Sequence, residues 1–146
     1  MNEVSIYQIA YGSEEYELSK SFRQRILREP LGIKLSEDDL RGEDRQHHFI
    51  AMFQNSIVGT VVVANVDNER AKLRQMAVDD NHQKNGIGKK LISQVDRFVH
   101  DKSYKFVVCT ARKTSAGFYK KMGFIIDGEP FEAMGMTIYN MVKSYE

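Results

Sequence analysis

The chain has 146 residues, 42% hydrophobic and 28% charged, with a formal net charge of +1 at pH 7. That length and balance suit one water-soluble globular domain, 1–146, able to bury a core without staples, and they exclude a polyanion-binding surface spread over the whole molecule. With one cysteine, Cys109, no internal disulfide can form, and no Cys/His spacing suits a zinc site. The first residues, Met1 to Val4, lack the basic and apolar regions of a signal peptide, and no apolar run reaches membrane-spanning length. A cytoplasmic location is expected, with no membrane partner.

Val4 to Ile9 reads as a strand. Ser13 suits a helix N-cap followed by the acidic Glu14 and Glu15, and Leu18, Phe22 and Ile26 recur on one helical face until Pro30 and Gly32 end the helix. Leu31 to Arg45 is polar and acidic, a loop with a short helix. Phe49 to Phe53 and Ile57 to Val63 flank Gln54-Asn55-Ser56 as a hairpin. Asn65 to Asn68 is a turn, and Lys72 to Val78 the next strand. Gly86 to His100 is the clearest helix, with Ile87, Leu91, Val95 and Phe98 along one side. Tyr104 to Thr110 is a buried strand, Ser115 to Met122 a short helix stopped by Gly123, Phe124 opens a strand, and Met134 to Val142 closes the chain as one extended segment. The order β-α-β-β-β-α-β-α-β-β describes a mixed α/β fold.

The chemistry concentrates between Met76 and Leu91, where a strand ends, a polar loop follows and a glycine-containing turn opens the long helix. Gly86 and Gly88 allow a ligand close to the backbone. The first helix amides lack internal partners, the helix dipole adds about half a positive charge there, and Lys84, Lys89 and Lys90 supply cations. Together these features suit a diphosphate. A phosphate-binding P-loop is excluded because Gln83 stands where its first glycine is needed, and a dinucleotide fingerprint because Leu91 fills the third glycine position. A bare Gly-x-Gly is equally compatible with a flexible loop.

The pattern Gln83-x-x-Gly86-x-Gly88 resembles the acetyl-CoA pyrophosphate loop of the GNAT superfamily of N-acetyltransferases. Leu73 to Val78 resembles the superfamily's central strand, and Gly117-Phe118-Tyr119-Lys120-Lys121-Met122-Gly123-Phe124 its terminal signature. Arg28-Glu29-Pro30-Leu31-Gly32 and Pro130 to Met136 are similar to the small bacterial ElaA-like branch. The resemblance implies a mostly antiparallel mixed sheet flanked by helices, with a splayed central strand pair.

It also implies acetyl-CoA as cosubstrate. Met76, Ala77 and Val78 would bond the pantetheine arm like an added strand. The amides of Gln83, Lys84, Asn85, Gly86, Ile87, Gly88 and Lys89 would hold the pyrophosphate, and Phe118 and Tyr119 would flank the thiol end. Lys113, Lys120 or Lys121 would reach the outer phosphates. The family commonly has Asn near position 112 or 113, where this chain has Arg112 and Lys113.

The implied reaction is direct attack of a primary amine on the thioester, with Tyr119 as catalytic acid to the departing thiolate and a backbone amide near Met76 to Val78 as oxyanion donor. No motif selects a base among His47, His48, Glu37, Asp38, Asp39, Glu129 and Glu132. The acidic residues from Glu37 to Asp44 would suit a cationic amine, whereas Arg23, Arg25, Arg28 and Lys34 read as a solvated helix face or as contacts to an anionic acceptor or to CoA. The acceptor is a small-molecule or peptide amine, and a homodimer is compatible. A CoA-binding sensor without catalysis is the alternative; nucleic-acid binding is disfavoured by the balanced charge.

Overall fold

The computed structural model describes residues 3–81 and 86–145. Strand β1 (Ser5–Ile9) leads to helix α1 (Glu14–Arg23), whose N-cap Ser13 accepts a hydrogen bond from the Tyr16 amide at 3.1 Å. The helix runs on through a π turn (Gln24–Arg28) and a 3-10 turn (Glu29–Leu31) that stops at Gly32. A capping box at Ser36 and Asp39 opens the short α2 (Glu37–Leu40), and a 3-10 turn (Glu43–Arg45) follows. Next come β2 (His47–Phe53), β3 (Ser56–Asn65), β4 (Arg70–Val78), α3 (Ile87–Asp101), β5 (Phe106–Arg112), α4 (Ala116–Lys121), β6 (Ile125–Ile126), β7 (Phe131–Ala133) and β8 (Met136–Ser144).

The eight strands form one sheet in the order β1-β2-β3-β4-β5-β8-β6, with β7 also on β8. Every pairing is antiparallel except β4 with β5. That exception follows from connectivity, because α3 carries the chain back between β4 and β5 and such a crossover joins parallel strands.

The β2–β3 hairpin turns on Gln54 and Asn55, both at positive φ (50° and 65°), the backbone that two-residue hairpins need. A second turn of this kind, at Met134 (φ 51°) and Gly135 (φ 72°), occupies the expected start of the terminal segment, so β8 begins at Met136 and pairs back on β7, a strand that the sequence pattern does not announce.

The expected apolar stripe of α1 needs correction. Leu18 is 55% exposed, and the buried face is instead Tyr16, Ser19, Phe22 and Arg23. Arg23 is therefore not a solvated residue. It is 1% exposed and binds Glu43, itself fully buried, through two hydrogen bonds of 2.7 and 2.9 Å. On α3, by contrast, the six buried residues Ile87, Leu91, Ile92, Val95, Phe98 and Val99 follow the expected periodicity and pack on Val61, Val63, Leu73 and Val107. Each such burial contributes about 1.5–3 kcal/mol. Cys109 is in the same core, where burial pushes its thiol up to about 12, so it stays protonated and apolar.

Candidate active site

Strands β4 and β5 pair only from Arg70–Lys72 to Phe106–Val108. Beyond that point β4 continues to Val78 and β5 to Arg112 with no ladder between them. A cleft of about 930 Å³ opens in the gap. A bulge sharpens the divergence. Thr60 faces Ala77 and Val62 faces Arg74, so Gln75 and Met76 together oppose Val61. Gln75 sits at φ 50°, and its carbonyl accepts the Thr60 hydroxyl at 3.1 Å. Such a bulge bends the strand and turns its next backbone groups away from the sheet. The Gln75 Oε1 atom is buried without a hydrogen-bond partner.

The cleft collects the elements that the sequence reading set apart. Met76, Ala77 and Val78 line it from β4, Gly86, Gly88 and Lys89 from the start of α3, and Phe118 and Tyr119 from α4. Gly86 is the α3 N-cap at φ 71°, a backbone that side chains with a Cβ adopt at a cost. Gly88 packs directly on Phe118. The Ile87 side chain is fully buried in the core, so only its backbone is available to a ligand. Gln83, Lys84 and Asn85, together with His82, lie outside the described residues.

Lys90 does not belong to this cluster. Its ammonium donates to the Val4 carbonyl at 3.4 Å, and the residue lines a neighbouring groove with Ile6, Lys89, Ser93 and Arg97. Gly86 and Lys89 border both the cleft and this groove, whereas Lys90 borders the groove alone. Arg112 lines the cleft, whereas Lys113, Lys120 and Lys121 are exposed outside it.

Tyr119 is 7% exposed, set edge-on between Phe118 (ring centroids 5.2 Å apart) and Phe124 (5.5 Å). Burial, with a smaller contribution from Cys109, raises its hydroxyl above the usual tyrosine range. The phenol is thus neutral at neutral pH.

None of the suggested bases is poised in the cleft. His48 is 3% exposed and its Nε2 binds the Glu43 carbonyl at 2.8 Å; the His47 ring packs 4.5 Å from that of Phe98. Burial lowers both imidazoles below their usual pKa. Of the acidic candidates Asp39 alone lines the cleft. Arg28 grips it at 2.8 and 3.1 Å and holds its carboxyl at about 2. Glu37 and Asp38 are exposed, and Asp38 pairs with Arg41; Glu129 is also exposed, and Glu132 accepts from Thr137 at 2.8 Å.

One feature of the site escaped the sequence reading. Glu43 receives Tyr16 at 2.6 Å and Arg74 at 2.9 Å in addition to Arg23, and Arg74 also reaches Gln46 at 2.7 Å and the Asp39 carbonyl. The network ties α1, α2 and β4 into the cleft wall. Its members lie 20 to 35 residues apart in the chain, and no local spacing announces them.

A profile described as the acetyltransferase (GNAT) domain matches residues 11–145. The chain belongs to the GNAT family of acetyltransferases. Among its relatives is a Bacillus subtilis protein carrying the provisional name acetyltransferase, 28% identical over 138 residues, 90% of this chain and 92% of that one. Escherichia coli ElaA shares the fold with a TM-score of 0.81 at 18% identity, over 99% of this chain and 100% of the other. A GNAT family acetyltransferase from Elizabethkingia anophelis, solved with acetyl-CoA bound, aligns at a TM-score of 0.72 and 22% identity, over 97% and 98% of the two chains. As a GNAT member the protein is an enzyme, an acyltransferase.

Proposed function

We propose that the cleft between β4 and β5 binds acetyl-CoA and that the enzyme transfers its acetyl group to a primary amine by direct attack within a ternary complex. The observation that carries this reading is the stretch from Leu73 to Ala77, which forms no ladder with β5 and faces an open cleft. Unpaired strand groups bind an extended amide-containing arm as a further strand would, and pantetheine is such an arm.

The residues divide the work. Met76, Ala77 and Val78 hold the arm through their backbone. The amides from Gln83 to Lys89 hold the diphosphate, aided by the Lys89 ammonium and the α3 dipole. Gly88 leaves room for Phe118, whose ring supports the thiol end. When bound, the cosubstrate supplies an activated acetyl thioester. A backbone amide between Met76 and Val78 stabilises the charge that develops on the thioester oxygen.

The amine nitrogen forms a bond to the acetyl carbon as the carbon–sulfur bond breaks. Tyr119 donates its hydroxyl proton to the departing sulfur and is reprotonated from solvent; the attacking nitrogen loses its proton to water. Because burial keeps the phenol neutral at neutral pH, Tyr119 is there in the protonation state that donation requires. The balance is one amine and one thioester consumed, one amide and one free thiol produced.

Calorimetric titration with acetyl-CoA, followed by a thiol-release assay over a panel of amines, tests the proposal. Saturable binding and amine-dependent thiol release are expected. Binding with no release for any amine would leave the cleft as a CoA sensor, and absence of binding would remove the reading altogether.

A further inference from the structure

Resting on that reading, we infer that the acceptor is an amine that itself carries an anionic group, a carboxylate or phosphate, held by Lys72 and Arg112. On β4, Ala71 and Leu73 pack into the core under α3, so Lys72 and Arg74 alternate onto the opposite face. On β5, Cys109 and Ala111 are likewise in the core, which places Thr110 and Arg112 on that same opposite face. Lys72, Arg74, Thr110 and Arg112 all line the cleft, on the side where the α1–α2 connection brings Arg28 and Asp39.

The charges on this side do not balance. Asp39 is gripped by Arg28, and Glu43 is shared between Arg23 and Arg74. Three guanidinium groups thus face two carboxylates, both of them engaged. Among the described residues no carboxylate pairs with Lys72 or Arg112. Asp80 also lines the cleft, next to the loop that opens α3 and thus at the diphosphate end. The acidic stretch from Glu37 to Asp44 is thereby no trap for a cationic amine: the half-buried Asp39 and the buried Glu43 are spent on arginines, and Glu37, Asp38 and Asp44 are exposed. An arginine and a lysine with no acidic partner in a concave wall suit an anion, and the guanidinium suits a planar carboxylate in particular.

The test compares thiol release for matched amines: leucine with isopentylamine, phosphoethanolamine with ethanolamine, and spermidine as the polycation. The anion-bearing member of at least one pair should exceed its neutral partner in kcat/KM by about tenfold or more, the worth of a charge-assisted contact. The leucine and phosphoethanolamine arms separate carboxylate from phosphate. Lys72→Gln and Arg112→Gln should each erase most of that preference while the KM for acetyl-CoA stays constant, and Arg112→Glu should invert it. Thermal melting verifies that each variant is folded, and Lys72, being exposed, provides a change that leaves the core untouched. Spermidine or the neutral amines turning over as well as the anionic ones would overturn the inference. So would acetyl-CoA binding without acetylation of any anionic amine, or a rise in acetyl-CoA KM in Arg112→Gln, which would move Arg112 to the cosubstrate. Failure of acetyl-CoA to bind wild type is the separate outcome that removes the proposed function, and this inference with it.

Discussion

The Phe118 ring fills the space in front of Gly88: a Cβ built on Gly88 would come 3.0 Å from the Phe118 Cζ and 3.1 Å from its Cε1. This contact joins the first turn of α3 to α4 at the cleft, two segments that the sequence presents 30 residues apart as separate motifs. Few real Cβ atoms approach a neighbour so closely, so the ring or the helix must give by a few tenths of an ångström. Gly88→Ala is expected to weaken acetyl-CoA binding by about tenfold, a loss of about 1.4 kcal/mol, with little change in melting temperature. Calorimetry on the variant measures this directly, and Phe118→Leu in the same background should recover part of the loss by making room.

Gly86 offers a different handle. Nothing described lies within 4 Å of a Cβ added there, so size alone is tolerated, but its φ of 71° is not. Gly86→Glu combines backbone strain with a negative charge at the helix N-terminus, and acetyl-CoA binding should become undetectable by calorimetry. Gly86→Asn, better suited to a left-handed backbone, should bind within a few-fold of wild type. Equal affinity in Gly86→Glu would place the diphosphate elsewhere.

Tyr119→Phe removes one oxygen from a ring that otherwise keeps its contacts with Phe118 and Phe124. Turnover should fall by about a hundredfold, within the range of a positioned general acid, whereas acetyl-CoA affinity should hold. Pre-steady-state and steady-state thiol release distinguish a slow chemical step from slow product loss. Unchanged turnover would take Tyr119 out of the acid role.

The absence of a poised base in the described part of the cleft has a kinetic consequence. Burial lowers the pKa of both His47 and His48, favouring their neutral forms, and Asp39 remains ionised down to about pH 2. The logarithm of kcat/KM should therefore rise with unit slope until the pKa of the acceptor amine, about 10.4 for a lysine-like amine. His47→Asn should leave the profile where it was. An inflection between pH 6 and 7 that vanishes in that variant would identify His47 as a base.

Glu43 predicts how the fold responds to acid. Burial alone would raise its carboxyl, but Arg23, Tyr16 and Arg74 together outweigh that and hold it at about 2, against an ordinary 4.5. The native state thus binds this proton more weakly than the unfolded chain does. The stabilisation, on the order of 3 kcal/mol, is complete above about pH 4.5 and is lost progressively as pH falls toward 2. Glu43→Gln leaves Arg23 buried without its carboxylate and should destabilise by about 3–5 kcal/mol at pH 7, with a flatter acid limb. Urea unfolding between pH 3 and 7 measures both effects.

These residues also mark what the sequence could tell. The α3 stripe, the Gln54–Asn55 turn and the strand-to-helix passage at Gly86 were legible because each is a short-range pattern with one physical solution. Met76 to Val78, Phe118 and Tyr119 were legible through family likeness, and the fold brings them to one cleft. The Glu43 network was not, since buried charges satisfied at long range leave no periodicity and read as solvated surface. Leu18 misled for the complementary reason: an apolar residue at the right spacing occupies the exposed side of α1, because Arg23 and Ser19 take the buried one.

Amide hydrogen exchange with and without saturating acetyl-CoA tests the central proposal most directly. Strand β4 from Leu73 to Ala77 forms no ladder with β5, so its outward amides should exchange more slowly once the pantetheine arm occupies that edge, along with those opening α3. Amides of β1, at the far edge of the sheet, should be unaffected. Protection confined to β4, the start of α3 and α4 is the expected result. Saturable binding with protection elsewhere, and none in β4, would contradict the assignment of this cleft to the cosubstrate.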